Sequence, residues 1–208
     1  IVLEFFNLSS INEIYKKFIN NDFFFQLYNL EKIKKFSDVY KNLIKVMENE
    51  LGMNEFYFQK IPSFRVHRIK SNSVLYHNDI MYGHGEDVVN VWVPLVRTNE
   101  MNSLYLSDIN LSSKAFKKFK NEKMPLINAN KLFQSISKPY LVDYGEMLIF
   151  NTSIFHGTEV NNSNKDRISF DFRILPHGSN PNTKTFDDFY QNNKTEEKII
   201  KKTFTPCL

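Results

Sequence analysis

The spacing of apolar positions changes period once along this chain, and the change divides it. Up to about residue 54 the pattern is helical. In DVYKNLIKVMENEL (38–51), Val39, Leu43, Val46, Met47 and Leu51 trace one stripe; Ser37 can cap its start, and Gly52 offers a stop. Upstream, Ser10 with Glu13 forms a capping box ahead of EIYKKFI. From about residue 55 the period becomes that of strands. NEFYFQK and SFRVHRIK, separated by Pro62, alternate or are β-rich. DVVNVWVPLV is a β-branched run closed near Pro94, and NSLYLSD is short and strand-like. Residues 108–138 are polar and irregular, with helical character only in SSKAFKKFKNEK. YLVDYGEMLIFNTSIFHGTEV holds two strands around a turn at Gly145. In RISFDFRILP, Arg167, Ser169, Asp171 and Arg173 share one face, and Ile168, Phe170, Phe172 and Ile174 the other. The tail from 179 is polar, with a helix expected over 184–203.

Helices followed by many short strands predict a mainly β fold with helical support. The expected architecture is a double-stranded β-helix (jelly roll) packed against N-terminal helices. No repeat or linker splits the chain. One domain is expected, with helical support over 1–54, a jelly-roll core over 55–178 and a C-terminal tail over 179–208. The tail can serve as a lid or an oligomer contact. A jelly roll brings sequence-distant strands together at one open end, which matters for the chemistry below.

Composition narrows the classes. The 208 residues are 42% hydrophobic and 15% aromatic, enough for one well-packed core. The net charge of +4 is dispersed, mainly over 32–45, 114–123 and 194–202, and no nucleic-acid motif accompanies it. The single cysteine, Cys207, excludes a disulfide framework within the chain and a cysteine-based zinc site. A reducing compartment, the cytoplasm, is therefore expected. No apolar run is long enough to span a bilayer and no signal peptide is visible. The chain opens on Ile1, so a preceding segment can be missing from it.

Three residues carry the chemistry. His77 and Asp79 form an H-x-D pair in YHND, and His156 ends a strand-like run in SIFHG. In extended chain, residues i and i+2 point the same way, so the pair can reach one ion, and His156 supplies a third donor. Two imidazoles and a carboxylate on one face of an octahedral ion leave three adjacent positions open, the arrangement of non-haem Fe(II) oxygenases. Zinc accepts the same donors. Arg167, downstream, tips the balance: a guanidinium buried in a barrel needs a partner, and its planar fork matches a carboxylate, with Ser169 beside it. The competing reading is a surface salt bridge to Asp166 or Glu159. Asn90, in the strand after the metal pair, can point at the cosubstrate. Arg65, Arg173 and His84 are candidate substrate contacts. For His84 the plainer reading is an ordinary loop histidine, and for Trp92 a core residue.

PSFRVHR, YHND, VNVWVPL, NSLYLSD, GEMLIF, FHG and RISFDFR resemble the Fe(II)/2-oxoglutarate-dependent oxygenases, in the phytanoyl-CoA/taurine dioxygenase-like range, over about residues 60–176. They are especially similar to a bacterial subgroup that includes an oxygenase-like protein of streptomycin clusters. The resemblance implies bound Fe(II) on His77, Asp79 and His156, and 2-oxoglutarate held by Arg167. It also implies O2 and a small-molecule substrate, with succinate and CO2 as products. Halogenating relatives replace the carboxylate ligand; Asp79 is present, so halogenation is not expected. Hydroxylation is the default outcome, beside desaturation, cyclisation or epimerisation. The alternatives are a non-catalytic jelly-roll module binding metal or carbohydrate, and a cupin-like isomerase that would leave Arg167 unexplained.

Overall fold

The computed structural model describes residues 30–186 and 188–194, with side chains from residue 38 onward. The capping box at Ser10 and Glu13 lies outside them. Helix α1 (Leu30–Leu51) ends where Gly52 takes a left-handed φ of 63°. There Gly52 N–H donates to Asn49 O (3.2 Å) and Met53 N–H to Glu48 O (3.2 Å), the paired bonds that close a helix C-terminus. Its start differs from expectation. Ser37 lies inside the helix, which begins at Leu30. The buried stripe is also rotated by one position: Tyr40, Ile44 and Met47 are buried, whereas Val46 is 44% exposed. Apolar residues at neighbouring offsets, Leu43 and Ile44 or Val46 and Met47, let the sequence pattern admit either face.

The strands form two antiparallel sheets, the jelly roll that the alternation predicted. β1 (Phe56–Gln59), β2 (Ser63–His67), β3 (Val89–Pro94), β6 (Leu148–Asn151), β8 (Arg167–Pro176) and β9 (Tyr190–Asn192) make the larger sheet. Its order is β6-β3-β8-β1-β9, and β2 shares the β8 edge with β1. β4 (Leu104–Ser107), β5 (Ser137–Tyr140) and β7 (His156–Gly157) make the smaller one, ordered β5-β4-β7. Between β4 and β5 run α2 (Ile109–Asn121), capped by Asp108, and α3 (Leu126–Ser135). The expected irregular stretch is therefore largely helical. α3 was hidden because Pro125 gives it no side-chain cap. The tail also departs from expectation. Tyr190–Asn192 is a strand on β1, not part of a helix over 184–203; Tyr190, fully buried, fixes it there.

β8 organises the molecule. Its ten residues are buried on both faces up to Leu175. Ile168, Phe170, Phe172 and Ile174 pack with Tyr40, Ile44, Met47, Phe56 and Phe58 under α1, each buried side chain contributing roughly 1.5–3 kcal/mol. Tyr40 stands edge-on to Phe172 at 5.2 Å and donates its hydroxyl to Gln59 O (2.6 Å), which locks α1 to the sheet. The opposite face carries Arg167, Ser169, Asp171 and Arg173. Antiparallel register sets Asn90 and Trp92 of β3 opposite Arg173 and Asp171, and Arg65 and His67 of β2 opposite Ser169 and Arg167. Polar side chains from three strands thus line the interior between the sheets. No helix among the described residues is long and apolar enough to cross a membrane.

Candidate metal centre

Local backbone structure brings the three donors together. His77 and His156 form a β-bridge, with His77 N–H donating to His156 O (3.0 Å) and His156 N–H to His77 O (2.8 Å). Asn78 between the pair is extended (φ −114°, ψ 155°), so Asp79 follows His77 onto the same side before a single 3-10 turn over Asp79–Tyr82. Asp79 N–H is anchored on Thr152 O (3.0 Å). One donor atom from each of His77, Asp79 and His156 lies within 4.8 Å of the others, and all three residues are buried. Asp79 Oδ1 is 3.4 Å from His77 Nε2 and 3.8 Å from His156 Nε2.

The ring nitrogens are sorted by what lies behind them. His77 Nδ1 is 2.7 Å from Leu75 O, and His156 Nδ1 is 3.0 Å from Ile154 O. A carbonyl accepts only from N–H, so each Nδ1 carries the proton and each Nε2 presents its lone pair to the centre. Burial, with the neighbouring His77, lowers the pKa of His156 to about 4, so its ring is neutral at physiological pH. Burial works against the charge on Asp79, but the charged Arg173, which donates twice to its Oδ2, helps hold the carboxyl well below its usual range.

Glycine at 157 has a steric reason. A Cβ there would come within 2.8 Å of Tyr76 Cγ and 2.9 Å of Tyr76 Cα, so only glycine lets β7 approach the His77 segment this closely.

Arg167 is 1% exposed, and its Nε and Nη1 have no hydrogen-bond partner among the described residues. Neither expected salt-bridge partner reaches it: Asp166 accepts from Ile69 N–H (2.7 Å), and Glu159 accepts from Tyr76 and Gln134. Its guanidinium stands 5.0 Å from the Trp92 ring centre, so Trp92 is both core and wall of the site. Burial, with repulsion from Arg65, lowers the pKa of Arg167 to about 9, which still leaves it charged at neutral pH. Ser169 Oγ and both amide atoms of Asn90 are likewise buried without partners. A buried polar atom left unpaired is costly. Five such atoms on one interior face fit a polar ligand with donors and acceptors of its own.

Arg167 and Asn90 share with the two histidines one cavity with about 390 Å³ of unfilled space, part of it open to solvent. Its walls include His77, His156, Asn90, Arg167, Arg65 and Arg173. Arg65 and Arg173 are engaged by protein: Arg65 Nε donates to Asp171 Oδ1 (2.8 Å), and Arg173 binds both Asp79 and Asp171. His84 is buried outside the cavity wall, its Nδ1 3.4 Å from Tyr190 Oη; burial lowers its pKa to about 4. Two features escaped sequence reasoning. Asp171 bridges Arg65 and Arg173, a role signalled by its position two residues before Arg173 on the same strand face. Gln59, whose Oε1 lies 3.5 Å from Arg173 Nη1, gave no sequence signal.

No family model matches the chain. Over 152 residues it is 30% identical to the Streptomyces griseus "Streptomycin biosynthesis protein StrG", covering 72% of this chain and 61% of that protein. It thus spans less than two thirds of its relative's length. Among solved structures, Streptomyces hygroscopicus HygX with nickel and 2-oxoglutarate bound superposes at a TM-score of 0.45 and 14% identity, covering 73% of this chain and 69% of that one. SnoN, a non-haem α-ketoglutarate-dependent epimerase from nogalamycin biosynthesis, superposes at 0.43 and 12% identity, covering 79% and 73%. At such TM-scores the chemistry must rest on this chain's own residues. The resemblance read from the motifs is borne out in sequence by a streptomycin-cluster relative, and the chain supplies a two-histidine, one-carboxylate donor set beside an unpaired guanidinium.

Proposed function

We propose that this chain is an Fe(II)- and 2-oxoglutarate-dependent oxygenase acting on a small polar metabolite, an amino acid or sugar derivative, with hydroxylation as the default outcome. The observation that carries the reading is the buried Arg167, with two unpartnered donor atoms, in the same cavity as His77 and His156 of the triad. A structural ion or a carbohydrate ligand would account for the triad or for the cavity, but not for a desolvated guanidinium waiting for a diacid.

In this reading His77 Nε2, Asp79 Oδ1 and His156 Nε2 hold the ferrous ion. Arg167 and Ser169 hold the distal carboxylate of 2-oxoglutarate, and the Asn90 amide reaches the same ligand. Together with 2-oxoglutarate, the bound ion supplies the activation of O2, with succinate and CO2 as coproducts. The chain's own work is placement. Its three donors, within 4.8 Å of one another, would hold one side of the ion and leave its other positions to the cosubstrate and O2. The Leu75 and Ile154 carbonyls keep both rings in the ligating tautomer. Trp92, Leu104 and Phe150 give the cavity apolar walls that limit water. The place of the sequence relative in streptomycin biosynthesis supports a polar biosynthetic substrate.

Anaerobic addition of Fe(II) and 2-oxoglutarate tests the reading. A weak visible charge-transfer band is expected with wild-type protein, lost in Arg167→Ala, and succinate should form on admitting O2. Absence of the band, with wild type and Arg167→Ala indistinguishable, refutes it.

A further inference from the structure

The sequence made Arg173 a candidate substrate contact. Its geometry does not support that as its main role. The side chain is buried, and its donors turn toward protein carboxylates. Nε (3.1 Å) and Nη2 (2.9 Å) both donate to the same oxygen, Asp79 Oδ2. Nη1 donates to Asp171 Oδ2 and lies 3.5 Å from Gln59 Oε1. Asp171 is steadied from its other side by Arg65. The guanidinium is therefore held at Nη1 by Asp171 and Gln59, while its other two nitrogens reach Asp79. The consequence falls on the carboxylate. Oδ2 is occupied by two donors from one rigid fork, and only Oδ1 faces the imidazole nitrogens.

Resting on the metal reading above, we propose that Arg173, held by Asp171 and Gln59, is a positioning residue that confines Asp79 to one-oxygen ligation. A carboxylate free to rotate can bind an ion through both oxygens. That would take one of the three positions that a bidentate cosubstrate and O2 require. Arg173 prevents this by occupying Oδ2. A lysine keeps the charge but offers no planar fork, so it should not substitute.

The position count can be read with Mn(II) alone, in the absence of any cosubstrate. Three donors on a six-coordinate ion leave about three exchangeable waters, and bidentate Asp79 leaves about two. Water-proton relaxivity per bound Mn(II) should therefore fall by about one third in Arg173→Met. Arg173→Lys, which retains the buried charge and guards against a misfolded Met variant, should show the same loss. A relaxivity equal to wild type in the folded, Mn(II)-loaded Lys variant overturns the proposal. An arginine acting only through its charge gives a different result, tighter Mn(II) binding by the Met variant with unchanged relaxivity, and that also overturns it. Failure of wild-type protein to bind Mn(II) at all would instead remove the metal reading itself, so the two failures are distinguishable.

Discussion

Arg167 should cost the ligand-free protein stability, and removing it should make that form more stable. Two of its guanidinium nitrogens are buried without acceptors. Each unsatisfied buried polar group costs roughly 1–3 kcal/mol. Against this stands the Trp92 ring at 5.0 Å, worth about 2 kcal/mol for a desolvated cation over an aromatic face. The unpaired donors win, by about 2 kcal/mol at the middle of those ranges. Arg167→Met keeps most of the side-chain volume and carries no donors. For a domain of this size, a gain of about 2 kcal/mol raises Tm by roughly 4–8 °C. The assay is thermal unfolding of metal-free protein by circular dichroism, repeated with millimolar 2-oxoglutarate and Mn(II). Wild type should gain stability from the diacid by mass action, and Arg167→Met should gain none from it. A metal-free variant less stable than wild type would refute the reasoning, because it would mean that the guanidinium is satisfied within the fold. So would a variant still stabilised by the diacid.

Other outcomes follow from the same geometry. His77→Ala and His156→Ala should each abolish the rise in Tm produced by Mn(II) or Fe(II), measured by thermal shift, since two donors remain where three converged. Gly157→Ala should lower stability by about 1–3 kcal/mol, as an added Cβ in a packed site typically does. It should also weaken metal uptake, because a Cβ 2.8 Å from Tyr76 pushes β7 and His156 away from His77; calorimetric titration checks this. The pKa values of His84 and His156 are lowered by burial to about 4. Between pH 6.5 and 4 the unfolded chain therefore binds protons that the fold excludes. Metal-free stability should be fully present above about pH 6.5 and fall as pH drops toward 4, and His84→Asn should flatten part of that slope in urea denaturation.

Much of this site could be read from the sequence because its signals are local. H-x-D in an extended segment makes two donors neighbours by strand geometry alone. The alternation of RISFDFRILP assigned Arg167, Ser169, Asp171 and Arg173 to one face. Where local signals conflict or vanish, the sequence was silent or misleading. α1 offered apolar residues on two adjacent faces, α3 lacked a side-chain cap, and the polar tail concealed a strand held by a single buried tyrosine.

What the sequence by itself determined were the residue types and their spacing: two imidazoles, a carboxylate, a guanidinium, and strands whose period of two sorts side chains by face. What only the tertiary structure decided was which groups are already satisfied. Arg167 and Arg173 lie on the same face of one strand. Arg173 meets Asp79, Asp171 and Gln59, whereas Arg167 Nε and Nη1 meet no acceptor among the described residues. The difference arises because β1 and the His77–Asp79 segment, distant in sequence, bring Gln59 and Asp79 to one guanidinium, beside Asp171 of β8 itself, and leave empty space beside the other. Pairing across strands depends on register and on the third dimension, and a linear pattern carries neither.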